Sequence, residues 1–557
     1  MQQLEAREVP LHKVFSSDYA FQIPEYQRPY AWETDQAMQL LDDLVDALDR
    51  DDDEPYFLGS MVLVNQKGTA ETEVIDGQQR LTTLTILFAV LRDLTDDDEL
   101  RQALQDMIQQ PGAVLLQLEP RPRLQLRPQD AEFFRTYVQE PGGIPMLLEL
   151  KRDALATDAQ RAIQTNARAL HDAVGTRTAE RRLALLRLIS ARTFLVLVST
   201  PDLGSAHRIF SVMNSRGLDL SPADIFKAEI IGAMPSTVSG TYARTWEDSE
   251  QDLRRDDFAD LFLDLRLIFS KERAKQELLR EFPRQVLSAY LPDRAPQFVD
   301  DVVVPYAKAY GQVRDRSYTA TSGAERVNGW FRRLAMIDNK DWRPPTLWAL
   351  RHRGDDPAWL DAFLRNLERL AASMFVRREY TTNRVNRYIE VLKQLEEGQG
   401  PDLPAFDLSD AERSATLEVL NGEVYRSTKT RKYVLLRLDE TLANSPGVTY
   451  DLPVITVEHV LPQNPGADSA WRDRFDDDQR EGWTHRLANL VLLNRYKNSE
   501  AQNYDFETKK DRYFAGKNGI ATFALTVQVL QTAEWTPALL ERRQAQLLAV
   551  LAKAWRL

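Results

Sequence analysis

Between Tyr56 and Leu91 the chain changes its local rule, and that change limits what its first part can fold into. Residues 56–64 are apolar and β-prone, residues 65–69 read as a turn, and residues 72–77 read as a second strand, the pattern of a β-hairpin. Leu81, Leu84, Leu87, Phe88 and Leu91 then recur at helical spacing, so a helix is expected just after Arg80. An earlier helix is expected from about Thr34, with Leu40, Leu41, Leu44, Val45 and Leu48 on one face. Strands and helices interleaved this closely call for an α+β arrangement.

The rest of the chain is mostly helical in pattern. Three regions are expected: 1–235, mixing strands and helices; 236–404, almost all helical; and 405–557, which passes through a strand-like stretch at 451–457 between helices. Gly398, Gly400, Pro401 and Pro404 mark a loop near the second boundary. The whole reads as α+β and predominantly helical. No apolar run approaches the length of about eighteen residues that a membrane span needs. The first fifteen residues lack a basic segment followed by an apolar core, which points to the cytoplasm. With no cysteine in 557 residues, disulfides and thiolate-bound zinc are excluded, and any metal must sit on oxygen and imidazole ligands. Lys and Arg number 71 against 84 Asp and Glu, a net charge of −13, which speaks against coating nucleic acid by bulk charge but permits local basic strips. The acidic runs at 51–54, 96–99 and 476–478 read as solvated loops or helix edges.

Two constellations carry chemistry. Near the C-terminal end, Val457-Glu458-His459-Val460-Leu461-Pro462 is followed, thirty residues after His459, by Asn489-Leu490-Val491-Leu492-Leu493-Asn494 and then Lys497-Asn498. A strand ending in an acid and a histidine, a loop, a second apolar strand and a helix bearing a polar ligand make a ββα-metal arrangement suited to phosphodiester hydrolysis. Histidine can take a proton from water near neutral pH. A divalent cation would neutralise the phosphate and stabilise the leaving oxygen. Mg²⁺ keeps several waters, so one carboxylate and one amide oxygen can suffice. Upstream, residues 425–433 hold four basic and no acidic residues with a tyrosine at each end. Lys429, Arg431 and Lys432 could form a DNA-backbone strip, or the segment could be the solvated first turn of a helix.

The N-terminal constellation pairs Ile23-Pro24-Glu25-Tyr26-Gln27-Arg28-Pro29-Tyr30-Ala31-Trp32 with Val74-Ile75-Asp76-Gly77-Gln78-Gln79-Arg80. The second string sets a glycine and polar residues between a strand and a helix start, where free backbone N–H groups and the helix dipole favour phosphate. Arg80 and Arg28 could pair with phosphate oxygens, and Asp76 could hold a metal or activate a water. Asp-Gly is equally a common turn, and the arginines could be structural. Tyr26, Tyr30 and Trp32 could wall a pocket for a flipped base or pack in the core.

Both constellations resemble the GmrSD-type modification-dependent (type IV) restriction endonucleases, including SspE-like and BrxU-like members. The resemblance implies a ParB/sulfiredoxin-like N-terminal domain with NTPase activity, marked by the DGQQR motif, and a C-terminal HNH nuclease domain. Residue by residue, it implies Glu458 and Asn498 as metal ligands, His459 as general base, and Asn489 as the residue orienting the histidine or its loop. His485 becomes a candidate phosphate contact, and Lys497 and Lys509 or Lys510 candidate DNA-backbone contacts. At the other end it implies nucleotide or DNA binding by Tyr26, Gln27, Arg28, Gly77, Gln78 and Gln79, with Asp76 and Arg80 catalytic. A third element, Ala206 to Phe210, Asn214 to Leu220, Asp224 and Lys227, agrees with the family, and Asn214, Arg216 and Lys227 join the nucleotide or DNA set. Leu124, Leu126 and Asp130 match a weaker segment and read as structural. The implied cofactors are Mg²⁺ or Mn²⁺ and an NTP. The implied partner is modified DNA, carrying glucosylated hydroxymethylcytosine or phosphorothioate, with homodimerisation through the helical middle as one route to a double-strand cut. A sensor with a silent nuclease fold and a broad toxin-like nuclease remain as alternatives.

Overall fold

The expected hairpin forms the centre of the N-terminal sheet. In a computed structural model, whose described residues are 5–50, 54–65, 70–112, 120–201, 206, 221–443, 455–494, 503–514 and 523–557, β3 (Tyr56–Asn65) runs antiparallel to β4 (Glu71–Asp76). Four more strands complete a mixed six-stranded sheet: β1 (Glu5–Pro10), β2 (Ala20–Gln22), β5 (Leu124–Gln125) and β6 (Thr193–Thr200), in the order β1-β6-β3-β4-β2-β5. β6 lies parallel to β3 and antiparallel to β1, while β2 is parallel to both β4 and β5. Distant stretches of sequence thus meet in one sheet.

Helix α1 (Thr34–Asp49) begins where expected, closed by a capping box between Glu33 and Gln36. Helix α2 (Gln78–Asp93) begins three residues earlier than the apolar spacing indicates, inside the Asp-Gly-Gln-Gln-Arg string. The reason is Gly77, which takes a left-handed conformation (φ +97°) at the N-cap, so the backbone turns from strand into helix within one residue. A β-carbon there would lie 2.5 Å from Met61 Cγ. Helix α2 is buried on nearly every side, the mark of a central helix. Its apolar side chains share one core with the inner faces of the sheet, α1 and α3 (Asp158–Gly175). Asp130 is structural, holding the buried Arg127 at 2.9 Å. This material belongs to a compact unit of residues 1–245 with 291–295.

The second unit, 246–290 with 296–557, is overwhelmingly helical. Its long elements include α5 (Arg255–Ser270), α6 (Arg343–Arg353), α7 (Pro357–Val376), α8 (Asp410–Asn421), α9 (Thr430–Leu442) and α10 (Pro537–Trp555); α4 (Pro222–Gly232) belongs to the first unit. Glu368 of α7 is fully buried and accepts from Tyr433 Oη (2.6 Å) and Arg437 Nε (2.7 Å) of α9 and from Trp555 Nε1 (3.3 Å) of α10. The strand-like stretch is described only in part. β7 is Thr456–His459, with 451–454 outside the described residues, and it pairs antiparallel with β8 (Leu490–Leu493). Trp471, Phe475, Phe506, Trp535 and Leu540 pack around this hairpin-like pair. The chain is therefore mostly helical α+β. Among the described residues no helix is long and apolar enough to cross a membrane.

Candidate active site

The short pair β7–β8 fixes the acid and the histidine. Glu458 faces Val491 and His459 faces Leu490 across the ladder. Both side chains are largely buried, at 3% and 6% exposure. The turn leaving His459 is bolted down by Asn489, itself fully buried. Its Oδ1 accepts from Leu461 N (2.7 Å) and Trp535 Nε1 (3.2 Å), and its Nδ2 donates to Leu461 O (3.0 Å) and Thr484 O (2.9 Å). An amide is suited to this task because it offers two donors and an acceptor at once. On the other side, Lys509 Nζ donates to the carbonyls of His459 and Val460, both at 2.9 Å. Burial pulls this amine down to about 7, against the upward pull of Glu458.

The histidine ring sits in an aromatic and basic cluster. His459 Nε2 lies 3.3 Å from His485 Nδ1, and its Nδ1 lies 3.2 Å from the Gln463 side-chain nitrogen. The Tyr425 ring centroid is 4.0 Å from that of His459 and stacks on His485 at 5.5 Å, while Tyr425 N donates to His485 O. The Arg431 guanidinium lies over the Tyr425 ring at 4.5 Å and donates to the Tyr425 carbonyl. Burial, with the nearby Arg426, holds His485 below the ordinary histidine range. Basic segment and histidine pair are therefore one site.

In the N-terminal unit the two motif strings are knitted to each other. Gln78 Nε2 donates to Arg28 O (2.9 Å) and Gln27 Nε2 to Ile75 O (3.1 Å). Gln79 donates to Pro29 O and accepts from Ala31 N and Trp32 N, at 2.8–3.1 Å. Tyr30 Oη meets Thr83 and Asn166, and Asn166 also holds Trp32 O. The Arg80 guanidinium passes beneath Gly59, where a β-carbon would lie 3.1 Å away, and donates to Ser60 O. Burial raises Asp76 and lowers Arg80, and each group's charge opposes the shift of the other. Arg80, Trp32, Tyr56 and Leu58 border a cleft of about 430 Å³, which Asp35 and Asp43 of α1 also line.

Comparison with known families matches residues 11–231 to the GmrSD restriction endonuclease N-terminal domain and residues 410–550 to the GmrSD restriction endonuclease C-terminal domain. The chain belongs to the GmrSD restriction endonuclease family. Comparison with curated proteins finds no match. The GmrSD C-terminal match encloses Tyr425, Glu458, His459, His485, Asn489 and Lys509, and the GmrSD N-terminal match encloses both knitted strings. Membership implies an endonuclease acting on DNA.

Several residues singled out in the sequence sit elsewhere than their proposed roles suggest. Gln27, Gln78 and Gln79 are buried and hold backbone; Tyr26 and Tyr30 are buried too, leaving Trp32 as the aromatic of the three that borders the cleft. Lys509 is a correction: at 1% exposure, it binds carbonyls beneath the histidine rather than facing a DNA backbone. Lys510 likewise donates to Thr532 O. Lys429 pairs with Asp338 at 2.8 Å, and Lys432 is exposed. Lys227 is buried on α4, where Asp224 closes a capping box with Ser221. Asn214, Arg216, Lys497 and Asn498 lie outside the described residues. Tyr425 and Gln463 were not singled out as site residues. Gln463 directly follows the Glu-His-x-x-Pro string, and Tyr425 opens the basic segment, so position alone was their signal.

Among the described residues no group of three or more His, Asp or Glu side chains converges as a metal site. The donor chemistry nonetheless suits a hard cation that keeps most of its waters, since Glu458 offers a buried carboxylate one residue from the histidine.

Proposed function

We propose that the chain is a modification-dependent DNA endonuclease of the type IV class, with residues 1–235 as a nucleotide-binding sensor, 236–404 as a helical scaffold and 405–557 as an HNH nuclease. The observation that carries the nuclease reading is the clustering of His459, His485, Tyr425 and Arg431 at the end of β7, beside buried Glu458. Glu458 and Asn498 would hold Mg²⁺ or Mn²⁺, which supplies charge neutralisation at the phosphate and the leaving oxygen. His459 takes the proton from the attacking water. Asn489 and Lys509 hold the successive peptides that follow the histidine, which fixes the turn leaving it. His485, Arg431, Lys432 and Lys497 would meet phosphate oxygens.

In the N-terminal region Arg28, Arg80 and the start of α2 would receive the phosphates of an NTP, with Asp76 directing its hydrolysis and Asn214, Arg216 and Lys227 completing the site. Asp35 and Asp43 in the cleft lining favour a cation-bound form of the nucleotide. Gln27, Gln78 and Gln79 act here by holding the Arg28–Trp32 loop against the helix. Nucleotide turnover would release the nuclease on recognising modified DNA, glucosylated or phosphorothioate, and a homodimer would explain cutting of both strands.

The test is digestion, with Mg²⁺ or Mn²⁺ and NTPs, of plasmids that are unmodified, glucosylated on hydroxymethylcytosine, or phosphorothioate-linked. Cutting of a single modified substrate names the mark. Equal cutting of all three contradicts modification dependence. Loss of NTP turnover in Asp76→Asn with folding intact is the result expected for the sensor, and unchanged turnover would remove Asp76 from it.

A further inference from the structure

The one-turn helix Val424–Arg426 has two sides. Tyr425 faces the histidine pair, whereas Val424 and Arg426, with Ser427 and Thr430, line a separate cleft of about 630 Å³. The cleft lies against the C-terminal end of α7, α8 and the start of α9. Its floor is apolar, formed by Val376, Val419, Leu420 and Val434, and Val419 remains 42% exposed. Its rim carries arginines and hydroxyls: Arg378 is exposed and donates to Ser427 Oγ at 3.1 Å, and Thr430 donates to the same oxygen. The carboxylates of the lining are Glu418 and Glu423, and Glu423 is already paired with Arg426 at 3.0 Å. Arg377 is committed to Glu379 and Glu412. Two guanidiniums, Arg378 and the Glu423-paired Arg426, therefore share this lining with apolar side chains, one short helix away from the candidate catalytic histidine.

We propose that this cleft is a subsite for the substrate strand, seating one nucleotide that flanks the cut: its phosphate between Arg378 and Arg426, its sugar and base on the valine and leucine floor. Guanidinium forks and hydroxyls are the groups that position a phosphodiester, and an apolar floor is what a base or sugar face buries against. Because Val424 and Arg426 of the cleft flank Tyr425 within one turn of helix, and Tyr425 packs on His459, a strand seated here is registered relative to that histidine. The inference rests on the nuclease reading above and adds the residues that place the strand.

The test uses the full chain and fluorescein-labelled DNA duplexes, one unmodified and one phosphorothioate-linked, with binding read by anisotropy over a salt series without divalent cation. Arg378→Gln with Arg426→Gln is expected to weaken binding about tenfold and to flatten the salt dependence by about one contact per arginine. Lys308→Gln, an exposed charge on the helix Val304–Asp315, should change neither. Melting curves matched to wild type confirm that the variants fold. An unchanged affinity and salt slope in the folded double variant would overturn the subsite. So would competition by a free nucleoside triphosphate that disappears in the Arg378→Gln variant, since it assigns the cleft to a small effector. Binding without a cation does not depend on cutting, so a wild type that binds and never cleaves sinks the nuclease reading while the cleft is judged on its own.

Discussion

Lys509 shows how a single side chain can be read wrongly from its chemistry and rightly from its place. As a lysine in a nuclease it suggests DNA contact. In the fold its ammonium reaches two consecutive carbonyls, those of His459 and Val460, from a buried position. Lys509→Met fills similar volume without the donors. It is expected to slow cleavage about a hundredfold or more, because a small displacement of the base is costly, while DNA affinity stays at the wild-type value. Parallel rate and binding measurements check this; weakened binding at an unchanged rate would return Lys509 to the DNA surface. Nothing in the local sequence announces this role, since the carbonyls it binds are fifty residues away. Glu458, His459 and Asn489 stand out in the sequence through their ordered spacing around two short strands, and Asn489 holds the turn after the histidine.

At the scale of elements, the strand-to-helix turn at Gly77 organises the N-terminal constellation. Gly77→Ala adds a β-carbon against Met61 at a left-handed φ, and the combined strain and overpacking should cost about 2–4 kcal/mol. Chemical denaturation of the variant measures it, and a loss below about 0.5 kcal/mol would mean that the turn relaxes freely. The hairpin, α1 and the last three turns of α2 were legible from apolar spacing. The start of α2 was not, because Gln78 and Gln79 are polar and break the apolar rhythm, yet they are buried by their bonds to the Arg28–Trp32 loop. The sheet order was not legible either: β6 joins β1 and β3 from more than a hundred residues away, and no local pattern encodes that pairing. The link between Tyr425 and His459 escaped for the same reason.

At the scale of the molecule, buried ion networks tie together helices that the sequence presents only as amphipathic repeats. Glu368 joins α7, α9 and α10, and although burial raises its pKa, Arg437 and Tyr433 bring it below the ordinary value of about 4.5. Its stabilisation is therefore complete above that value and lost as pH falls through the lower folded pKa. Glu368→Gln leaves Arg437 with Glu440 as its remaining counter-charge, and losing the charged hydrogen bonds to Glu368 should cost about 1.5–3 kcal/mol at neutral pH. Melting wild type and variant from pH 7 to pH 3 should show the difference shrinking in acid; a constant difference would mean that the carboxylate is not the ionised partner. The central claim is that the His459 cluster is where DNA is cut. The most direct measurement compares wild type with His459→Ala on modified plasmid, with and without a chelator, at matched melting temperature. Wild type alone is expected to cut, and chelation should abolish the cutting. Cutting by His459→Ala at the wild-type rate would contradict it.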